Sequence, residues 1–357
     1  MNNKKIWLSL ATMSGREQDF IREAFDTNWV APLGPNVNGF EHDLSLFLQE
    51  DKPVVALSSG TAALHLALIQ KGVKAGDEVI CQSFTFAASA NPIAYLGATP
   101  VFIDSEPETW NMDPQLLEEA IQDRYAQTGK YPKAIIPVHL YGMPAKMDEI
   151  SAIAARYAIP VLEDAAEALG SEYKGKKCGT LGHLGILSFN GNKMITTSGG
   201  GALVCKTREE AAKTMFYATQ ARDNAPHYQH SEIGYNYRMS NICAGIGRGQ
   251  MTIPESHLKR RRNIHSLCLQ MLAGVRGITV FDRPSADFHS NFWLTCILVD
   301  PGEAGFTRED VLLSMEAANI ETRPLWKPMH LQPVFAGAPF YGTHIAGHLF
   351  ENGLCLP

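Results

Sequence analysis

Residues 53–82 read PVVALSSGTAALHLALIQKGVKAGDEVICQ. Two short apolar runs, PVVAL (53–57) and EVICQ (78–82), are typical of buried strands, and the segment between them has the character of a helix. Near-continuous apolar strands with intervening helices favour a parallel sheet that is covered on both faces. This stretch therefore predicts an α/β fold.

Five more strand-like runs extend the pattern to residue 206, and helix-like segments lie between several of them. The runs are TPVFID (99–104), KAIIPVH (133–139), IPVLED (159–164), GILSF (185–189) and GALVCK (201–206). Together with the first two they predict one large, seven-stranded, mostly parallel sheet.

The pattern changes at about residue 250. A long polar-amphipathic helix is predicted over 251–273, and the strand WLTCILVD and the extended segment IETRPLW follow. A second helix opens with TRED, in which Thr307 and Asp310 have the spacing of a capping arrangement. We expect a large domain in residues 1–250 and a smaller α+β domain in residues 251–357.

The composition excludes several classes of protein. With 45% hydrophobic and 19% charged residues among 357, the chain can bury a large core and is not disordered as a whole. Its 31 Lys and Arg against 37 Asp and Glu give a net charge of −6, which offers no general basic field for a nucleic acid. No apolar run approaches the ~18 residues that span a bilayer. The start lacks a full signal-peptide core, so we expect a mature protein without a membrane partner.

The seven cysteines indicate a compartment rather than a site. Their number is odd and no two have CxxC spacing, so neither a zinc site nor a disulfide framework is suggested. Most lie inside apolar runs, where a thiol behaves as a small buried hydrophobe. We expect a reducing cytoplasm and no metal.

Three features are predicted to meet at the carboxyl ends of the strands, where open α/β sheets bind ligands. The first is SSGTAALH (58–65), where a strand ends, small residues turn and a helix begins at about Ala62. The free N–H groups and the dipole of a helix start suit a phosphate. An ordinary helix cap made by Ser or Thr is the alternative.

The second feature is the acidic run LEDAAEALG (162–170), with Glu163, Asp164 and Glu167 where a strand ends. A carboxylate there can pair with a positive ring nitrogen or a metal. No His or Cys lies at ligand spacing, which argues against a metal. The alternative is that Asp164 caps the next helix.

The third feature is LSFNGNKMITTSGGG (187–201). Lys193 lies in its loop, and a lysine held next to apolar strands can act as a Schiff-base nucleophile. Ser188 could donate to a phosphate, and the glycines 199–201 permit close approach of the backbone. The alternatives are a solvated loop lysine and a strand hydroxyl bonded to the backbone.

The order of these features is more informative than any one of them. A phosphate nest, then an aspartate at a strand end, then a serine and a lysine match the three handles of pyridoxal 5′-phosphate: its phosphate, its pyridinium nitrogen and its aldehyde.

Long gapless motifs then resemble a known family. They are SSGTAALH, SFTFAASANPI, VFIDSEPETWNMDP, VHLYGMPAKMDEI, EDAAEALGS, SFNGNKMITTSGGG, GYNYRMSN and TRPLWKPMH. The chain resembles, from residue 7 to its end, the DegT/DnrJ/EryC1/StrS sugar-nucleotide aminotransferases. NWVAPLG, NGNKMITTSGGG, TQAR and ETRPLWK look most like the UDP-4-amino-sugar transaminases of the bacillosamine pathway.

The resemblance implies the aspartate-aminotransferase fold (fold type I), a homodimer with shared active sites, and pyridoxal 5′-phosphate with pyridoxamine 5′-phosphate as its intermediate form. Lys193 matches the Schiff-base lysine and Asp164 the partner of the ring nitrogen. The other cofactor contacts implied are the phosphate site of Gly60, Thr61 and Ser188, the stacking Phe86, Glu167 near the 3′-oxygen, and Asn236 at the neighbouring subunit's phosphate. Glu167 is a departure, because many members carry Gln or His there.

Substrate contacts are expected from Asn190, Arg238, Arg323, Trp326 and His330. At position 325 many relatives have His where this chain has Leu, which leaves the nucleotide contacts open. Relatives also continue past GLCLP with a helical segment, so either this sequence is truncated or the protein lacks that helix.

The function implied is transfer of an amino group, from glutamate, to the 4-keto carbon of a UDP-linked N-acetylated 4-keto-6-deoxyhexose, for bacterial glycan or glycoprotein biosynthesis. A 3-keto or GDP-linked sugar remains an alternative. A dehydratase of the same fold is a second alternative, although such relatives carry His in place of Lys193.

Two other classes fit less well. GIGRG (245–249) follows a helical segment and does not complete GxGxxG, so it does not indicate a dinucleotide-binding oxidoreductase. A non-catalytic cofactor-binding regulator would be expected to carry a helix-turn-helix domain or a basic patch, and the sequence suggests neither.

Overall fold

The computed structural model describes residues 4–49 and 51–357. Its α-helices are α1 (Glu17–Asp26), α2 (Pro35–Phe47), α3 (Gly60–Gln70), α4 (Asn91–Tyr95), α5 (Pro114–Thr128), α6 (Met147–Arg156), α7 (Arg208–Ala218), α8 (Asn241–Gln250), α9 (Pro254–Leu272), α10 (Pro301–Ala304), α11 (Arg308–Ala317) and α12 (Ile345–Asn352). Its strands are β1 (Val54–Leu57), β2 (Glu78–Gln82), β3 (Thr99–Ile103), β4 (Ile135–Ile136), β5 (Leu162–Asp164), β6 (Glu172–Tyr173), β7 (Lys176–Lys177), β8 (Leu184–Ser188), β9 (Gly201–Cys205), β10 (Ile278–Val280), β11 (Phe288–His289), β12 (Thr295–Val299), β13 (Arg323–Pro324), β14 (Phe340–Tyr341) and β15 (Gly353–Leu356).

The seven predicted strands lie side by side in the order β3-β2-β4-β5-β8-β9-β1. The β4–β5 junction consists of isolated parallel bridges, Ile135 to Val161 and Val138 to Asp164. Only β9 runs against its neighbours, since it pairs antiparallel with both β8 and β1. The prediction of a mostly parallel sheet is confirmed.

Two of the strands are shorter than predicted. The run 133–139 pairs only as Ile135–Ile136, and the run 159–164 only as Leu162–Asp164. Each run contains a proline, Pro137 and Pro160, which has no N–H to donate to a neighbouring strand.

Both faces of the sheet are covered, because alternate residues of each strand enter different apolar clusters. On one face Val54 and Ile80 pack with Phe40 of α2, and on the other Val55 and Val79 pack with helix α3. Helix α3 is buried on almost every side, from Ala62 to Leu68. Such a helix is positioned firmly, so its N-terminus is a fixed point at the edge of the sheet.

The C-terminal third forms a second sheet in the order β10-β12-β15-β13. Helix α9 begins at Pro254 rather than at 251, as suits a proline in the first helical turn. The capping box of Thr307 and Asp310 is present at the start of α11, as predicted. Strand β14 returns to the large sheet and pairs with β3. The division at residue 250 stays a prediction.

Across the described residues, no helix combines the length and the apolar character that crossing a membrane requires.

Candidate functional site

A cavity of about 310 Å³ opens at the carboxyl ends of the large sheet's parallel strands. Residues from all three predicted features line it, together with side chains from the segment after β2 and two tryptophans. Residues far apart in the chain meet here because successive parallel strands end at the same edge of the sheet.

The first corner of the cavity is the start of α3. The helix begins at Gly60, two residues earlier than predicted, and the hydroxyl of Ser59 accepts a hydrogen bond from the N–H of Ala62 at 3.0 Å. Gly60, Thr61 and Ser188 line the cavity beside this cap. A Cβ on Gly60 would lie 3.1 Å from that of Ser188, so the glycine allows the two segments to approach. The capping interpretation is confirmed, since Ser59 caps the helix, and the phosphate site of Gly60, Thr61 and Ser188 stays a prediction.

The second corner is Asp164, at the end of β5. Its Oδ2 accepts from the hydroxyl of Ser89 at 2.7 Å and its Oδ1 from the N–H of Ala166 at 3.1 Å. The residues that follow form turns and no helix, so Asp164 is not a helix cap. Burial raises the pKa of the Asp164 carboxyl, and the Ser89 hydrogen bond is the largest opposing influence.

The neighbouring Glu163 points into the protein and has a structural role. Its carboxylate accepts from the backbone N–H groups of Leu181 and Gly182 at 2.7 and 2.8 Å, and lies 2.8 Å from Nε2 of His139. The other ring nitrogen of His139 accepts from the N–H of Ala145 at 2.9 Å. Cys178 lies close by, and burial raises the pKa of its thiol. The polar atoms of this buried cluster already serve the fold.

The third corner is Lys193, on the loop between β8 and β9. Its Nζ lies 3.2 Å from Oε1 of Glu167 and 4.0 Å from the centroid of the Trp293 ring, and its side chain is 12% exposed. Lys193 is therefore not a solvated loop lysine. The other oxygen of Glu167 accepts from the N–H of Tyr141 at 2.8 Å. Burial raises the pKa of Glu167, and the charge of Lys193 opposes that rise.

Aromatic and amide side chains also line the cavity. Phe86 is 51% exposed, and its ring centroid lies 5.2 Å from that of Trp326. Asn190 lines the cavity with them. These three predicted residues are thus placed beside Lys193 and Asp164.

Two predicted substrate contacts are engaged elsewhere. Arg238 is buried, where it pairs with Glu41 and donates to the carbonyl of Ala56 at 2.8 Å. His330 lies 2.7 Å from the hydroxyl of Ser83 through its Nδ1. Neither is among the residues that line the cavity.

Two further predicted residues lie on the surface of the subunit. Arg323 is exposed and pairs with Glu321 at 2.7 Å. Asn236 is exposed and its backbone pairs with that of Thr219. Within one subunit, the structure does not bring either residue to the cavity.

Sequence reasoning missed Ser89, Trp293 and Tyr141. Ser89 lies in the quoted motif SFTFAASANPI, but nothing in its spacing shows that it faces a residue 75 positions away. Trp293 precedes a strand of the second sheet, and no local signal connects it with Lys193. Only the tertiary fold brings these groups together.

The cavity fits the cofactor that the sequence indicated. A helix start with Ser188 beside it can hold a phosphate, and a buried carboxylate with unused lone pairs can hold a protonated ring nitrogen. A lysine amine lies in the same cavity. Fold and site together define a pyridoxal-phosphate-dependent enzyme of fold type I.

The family of the chain follows from comparison with known proteins. The DegT/DnrJ/EryC1/StrS aminotransferase family matches residues 12–357. EpsN of Bacillus subtilis (strain 168), named as a pyridoxal phosphate-dependent aminotransferase, is 51% identical over 359 residues, which cover 99% of this chain and 91% of EpsN. GDP-perosamine synthase of Caulobacter vibrioides is 37% identical over 353 residues, covering 99% of this chain and 93% of that protein.

A solved structure agrees with this. A DegT DnrJ EryC1 StrS aminotransferase from Brucella abortus superposes with a TM-score of 0.89 at 30% identity, over 96% of this chain and 90% of that one. The chain belongs to the DegT/DnrJ/EryC1/StrS aminotransferase family, and it is a sugar aminotransferase that uses pyridoxal 5′-phosphate.

Proposed function

We propose that this enzyme transfers the amino group of glutamate to the 4-keto carbon of a UDP-linked N-acetylated 4-keto-6-deoxyhexose. One observation carries the transaminase chemistry: Lys193, Asp164 and the start of α3 converge on one cavity. The choice of a UDP sugar is supported by the resemblance of NWVAPLG, TQAR and ETRPLWK to the bacillosamine-type enzymes.

The chain's own residues have separable tasks in this proposal. Gly60, Thr61 and Ser188 hold the cofactor's phosphate, and Phe86 covers its ring. Pyridoxal phosphate supplies an electron sink when bound. The carboxylate of Asp164 holds a proton on the ring nitrogen.

The amine of Lys193 carries out the proton transfer. It takes a proton from the carbon that bears the donor's amino group, and later delivers one to the sugar carbon. Glu167 lies within hydrogen-bond distance of Nζ and orients it between these two tasks.

We also propose that two copies of the chain complete each site. Among the described residues that line the cavity, Lys193 is the only cationic side chain. Glutamate and a sugar nucleotide bring a carboxylate and a diphosphate, which need more positive charge or donors than this. Asn236, exposed on its own subunit, is the residue that we assign to the partner's cavity.

A GDP-linked keto sugar is the second candidate substrate, because a relative 37% identical over nearly the whole chain is named GDP-perosamine synthase. The two candidates are distinguished by the nucleotide that the keto sugar carries.

Isotope transfer tests the proposal. The purified enzyme, supplied with pyridoxal phosphate and nitrogen-15 glutamate, is incubated with UDP-linked and GDP-linked 4-keto sugars and with a 3-keto sugar nucleotide. Mass spectrometry is expected to show the label in the UDP-linked product, with an equal amount of 2-oxoglutarate. If the label appears in the GDP-linked product instead, the substrate is the GDP-linked sugar. If no sugar is labelled, the proposed transfer of the amino group from glutamate to a keto sugar is overturned. Lys193→Ala is the negative control.

A further inference from the structure

Two hydroxyl groups form a short hydrogen-bonded chain to Asp164. Oγ1 of Thr85 lies 2.8 Å from Oγ of Ser89, which lies 2.7 Å from Oδ2 of Asp164. Thr85 and Ser89 are 1% and 2% exposed, so water does not compete for these contacts. This series of hydrogen bonds begins at Thr85, in the segment after β2, and ends at the Asp164 carboxylate, which faces the cavity.

The chemistry of the groups fixes the direction of each proton. An ionised carboxylate only accepts, so the hydroxyl of Ser89 must donate to Asp164. Its oxygen is then left as the acceptor for Thr85, which donates. Since Oδ1 of Asp164 accepts from the N–H of Ala166, both carboxylate oxygens are oriented and each keeps a lone pair for a donor in the cavity.

The arrangement requires Asp164 to be ionised, whereas burial of its carboxyl raises its pKa and so favours the neutral form. The charge of Lys193 favours the ionised form of Asp164, and the charge of Asp164 raises the pKa of the nearby Glu167 and of the Cys81 thiol. His139 also lies nearby, but its Nδ1 accepts from the N–H of Ala145, so the ring does not supply a positive charge. The hydrogen bond from Ser89 is the strongest of the influences that favour ionisation. A hydrogen bond to a buried charge contributes more than one between neutral groups.

We propose that Ser89, oriented by Thr85, is a positioning residue that keeps Asp164 ionised and directed at the cofactor's ring nitrogen. The inference rests on the proposed role of Asp164 at that nitrogen. Phe86 lies between the two hydroxyl residues, and Phe86, Thr85 and Ser89 all line the cavity. The five-residue segment 85–89 would thus serve two purposes: Phe86 would cover the cofactor's ring, and Thr85 and Ser89 would stabilise the charge of Asp164.

Substitutions of Ser89 test this proposal with two kinds of readout. One is kcat and KM for glutamate as a function of pH. The other is the titration of the Asp164 carboxyl in the cofactor-free protein, followed by carbon-13 NMR and assigned with Asp164→Asn. Ser105→Ala is the matched control, because Ser105 is fully buried and its hydroxyl has no hydrogen-bond partner among the described residues.

Ser89→Ala is expected to lower kcat roughly ten- to a hundredfold, which is about 1.4–2.7 kcal/mol of barrier, because the carboxylate loses the hydrogen bond that stabilises its charge, while KM changes less than about twofold. The Asp164 titration should move to higher pH. Thr85→Val should shift both readouts in the same direction by a smaller amount. Ser89→Thr, which keeps the donor, should restore most of both, and Ser105→Ala should leave them unchanged.

The outcomes separate this inference from the proposed function. Wild-type kcat and titration in Ser89→Ala, alongside a strongly impaired Asp164→Asn, would overturn the role of Ser89 and leave the role of Asp164 intact. Wild-type turnover in Asp164→Asn would overturn the site itself. Ser89→Ala should also cost little more in an Asp164→Asn background, and a full additive loss there would show that Ser89 acts on something else.

Discussion

Nζ of Lys193 and Oε1 of Glu167 lie 3.2 Å apart, with the two side chains 12% and 4% exposed. The pair is therefore an ion pair inside the cavity rather than on the surface. Its second anchor is the backbone N–H of Tyr141, which donates to the other carboxylate oxygen at 2.8 Å. Glu167 thus ties the mobile end of a long side chain to a fixed part of the fold, which places the amine where a substrate carbon would lie.

Replacing Lys193 by alanine is expected to abolish turnover, because it is the only amine among the described residues that line the cavity. The visible absorbance of the lysine-linked cofactor should disappear with it. Pyridoxamine 5′-phosphate should still bind, since its phosphate and ring contacts remain. Absorbance spectra and multiple-turnover assays check this, and substantial turnover in Lys193→Ala would defeat the assignment.

The same substitution is expected to make stability more dependent on pH. Burial raises the pKa of Glu167, so ionising it costs the folded state free energy that grows as the pH rises above the ordinary value of 4.5. Lys193 opposes this cost. Lys193→Ala should therefore lose about 1–3 kcal/mol at pH 8 and much less at pH 4.5. Thermal unfolding of the cofactor-free proteins measures this.

A second substitution makes that measurement specific to Glu167. Adding Glu167→Gln to Lys193→Ala removes the unpaired charge and should recover most of the stability lost at pH 8, without recovering turnover. If Lys193→Ala loses the same stability at pH 8 and at pH 4.5, the side chain of Lys193 stabilises the fold through packing rather than through its charge.

Asp164→Asn is expected to weaken turnover far more than cofactor occupancy, because it removes the charge and keeps the shape. Loss of one such electrostatic contribution in a dry site can cost about 3–4 kcal/mol of barrier. The cofactor-free variant should be more stable than the wild type above pH 5, since the raised pKa of Asp164 makes its ionisation costly to the folded state. Turnover, bound-cofactor content and unfolding temperature check the three statements.

The amino-acid pattern was sufficient to predict a mostly parallel sheet of seven strands and the three segments that meet at the cavity. Strand ends, a helix start and a loop lysine are local features, and the rule that ligands bind at the carboxyl ends of strands brings them together. Lys193, Asp164 and Gly60 could be placed together for that reason, as the cavity shows, and their individual roles stay predictions.

The remainder depended on contacts between distant segments. The pairing of Glu167 with Lys193 and of Ser89 with Asp164 follows from how helices and loops pack. The spacing of these residues along the chain does not indicate either contact. Arg238 shows the converse: its motif resembles a substrate-binding one, yet Glu41, 197 residues earlier, pairs with its guanidinium. Strand β14, which joins the large sheet from the C-terminal third, could not be predicted either, because it is only two residues long.

Ser59 and Gly60 should separate helix capping from cofactor binding. Ser59→Ala removes the acceptor for Ala62 and should cost about 1 kcal/mol of stability, with little change in cofactor affinity. Gly60→Ala places a methyl group 3.1 Å from Cβ of Ser188 and should weaken cofactor binding more than it lowers stability. Denaturant unfolding and cofactor titration measure the two effects. Equal effects of both variants on affinity would mean that the cap and the nest are one unit.

Asn236 lies on the surface of its own subunit. Its segment, GYNYRMSN, is polar and aromatic and follows the exposed loop that contains Tyr228 and Ile233. If Asn236 completes the partner's cavity, Lys193→Ala and Asn236→Trp are lesions of the same site when they sit on different subunits. A mixed dimer then has one site with both lesions and one with neither.

Mixing the two inactive proteins should therefore restore activity, to about half of the wild-type value per mixed dimer in a symmetric pair. Differently tagged chains purified together give the mixed dimers, and Lys193→Ala homodimers exchanged in the same way are the control. Activity should rise with the fraction of mixed dimers and vanish when both substitutions are placed on one chain and that chain pairs with itself. Mixed dimers that form and remain inactive would mean that Asn236 serves its own subunit, and the shared site would have to be abandoned.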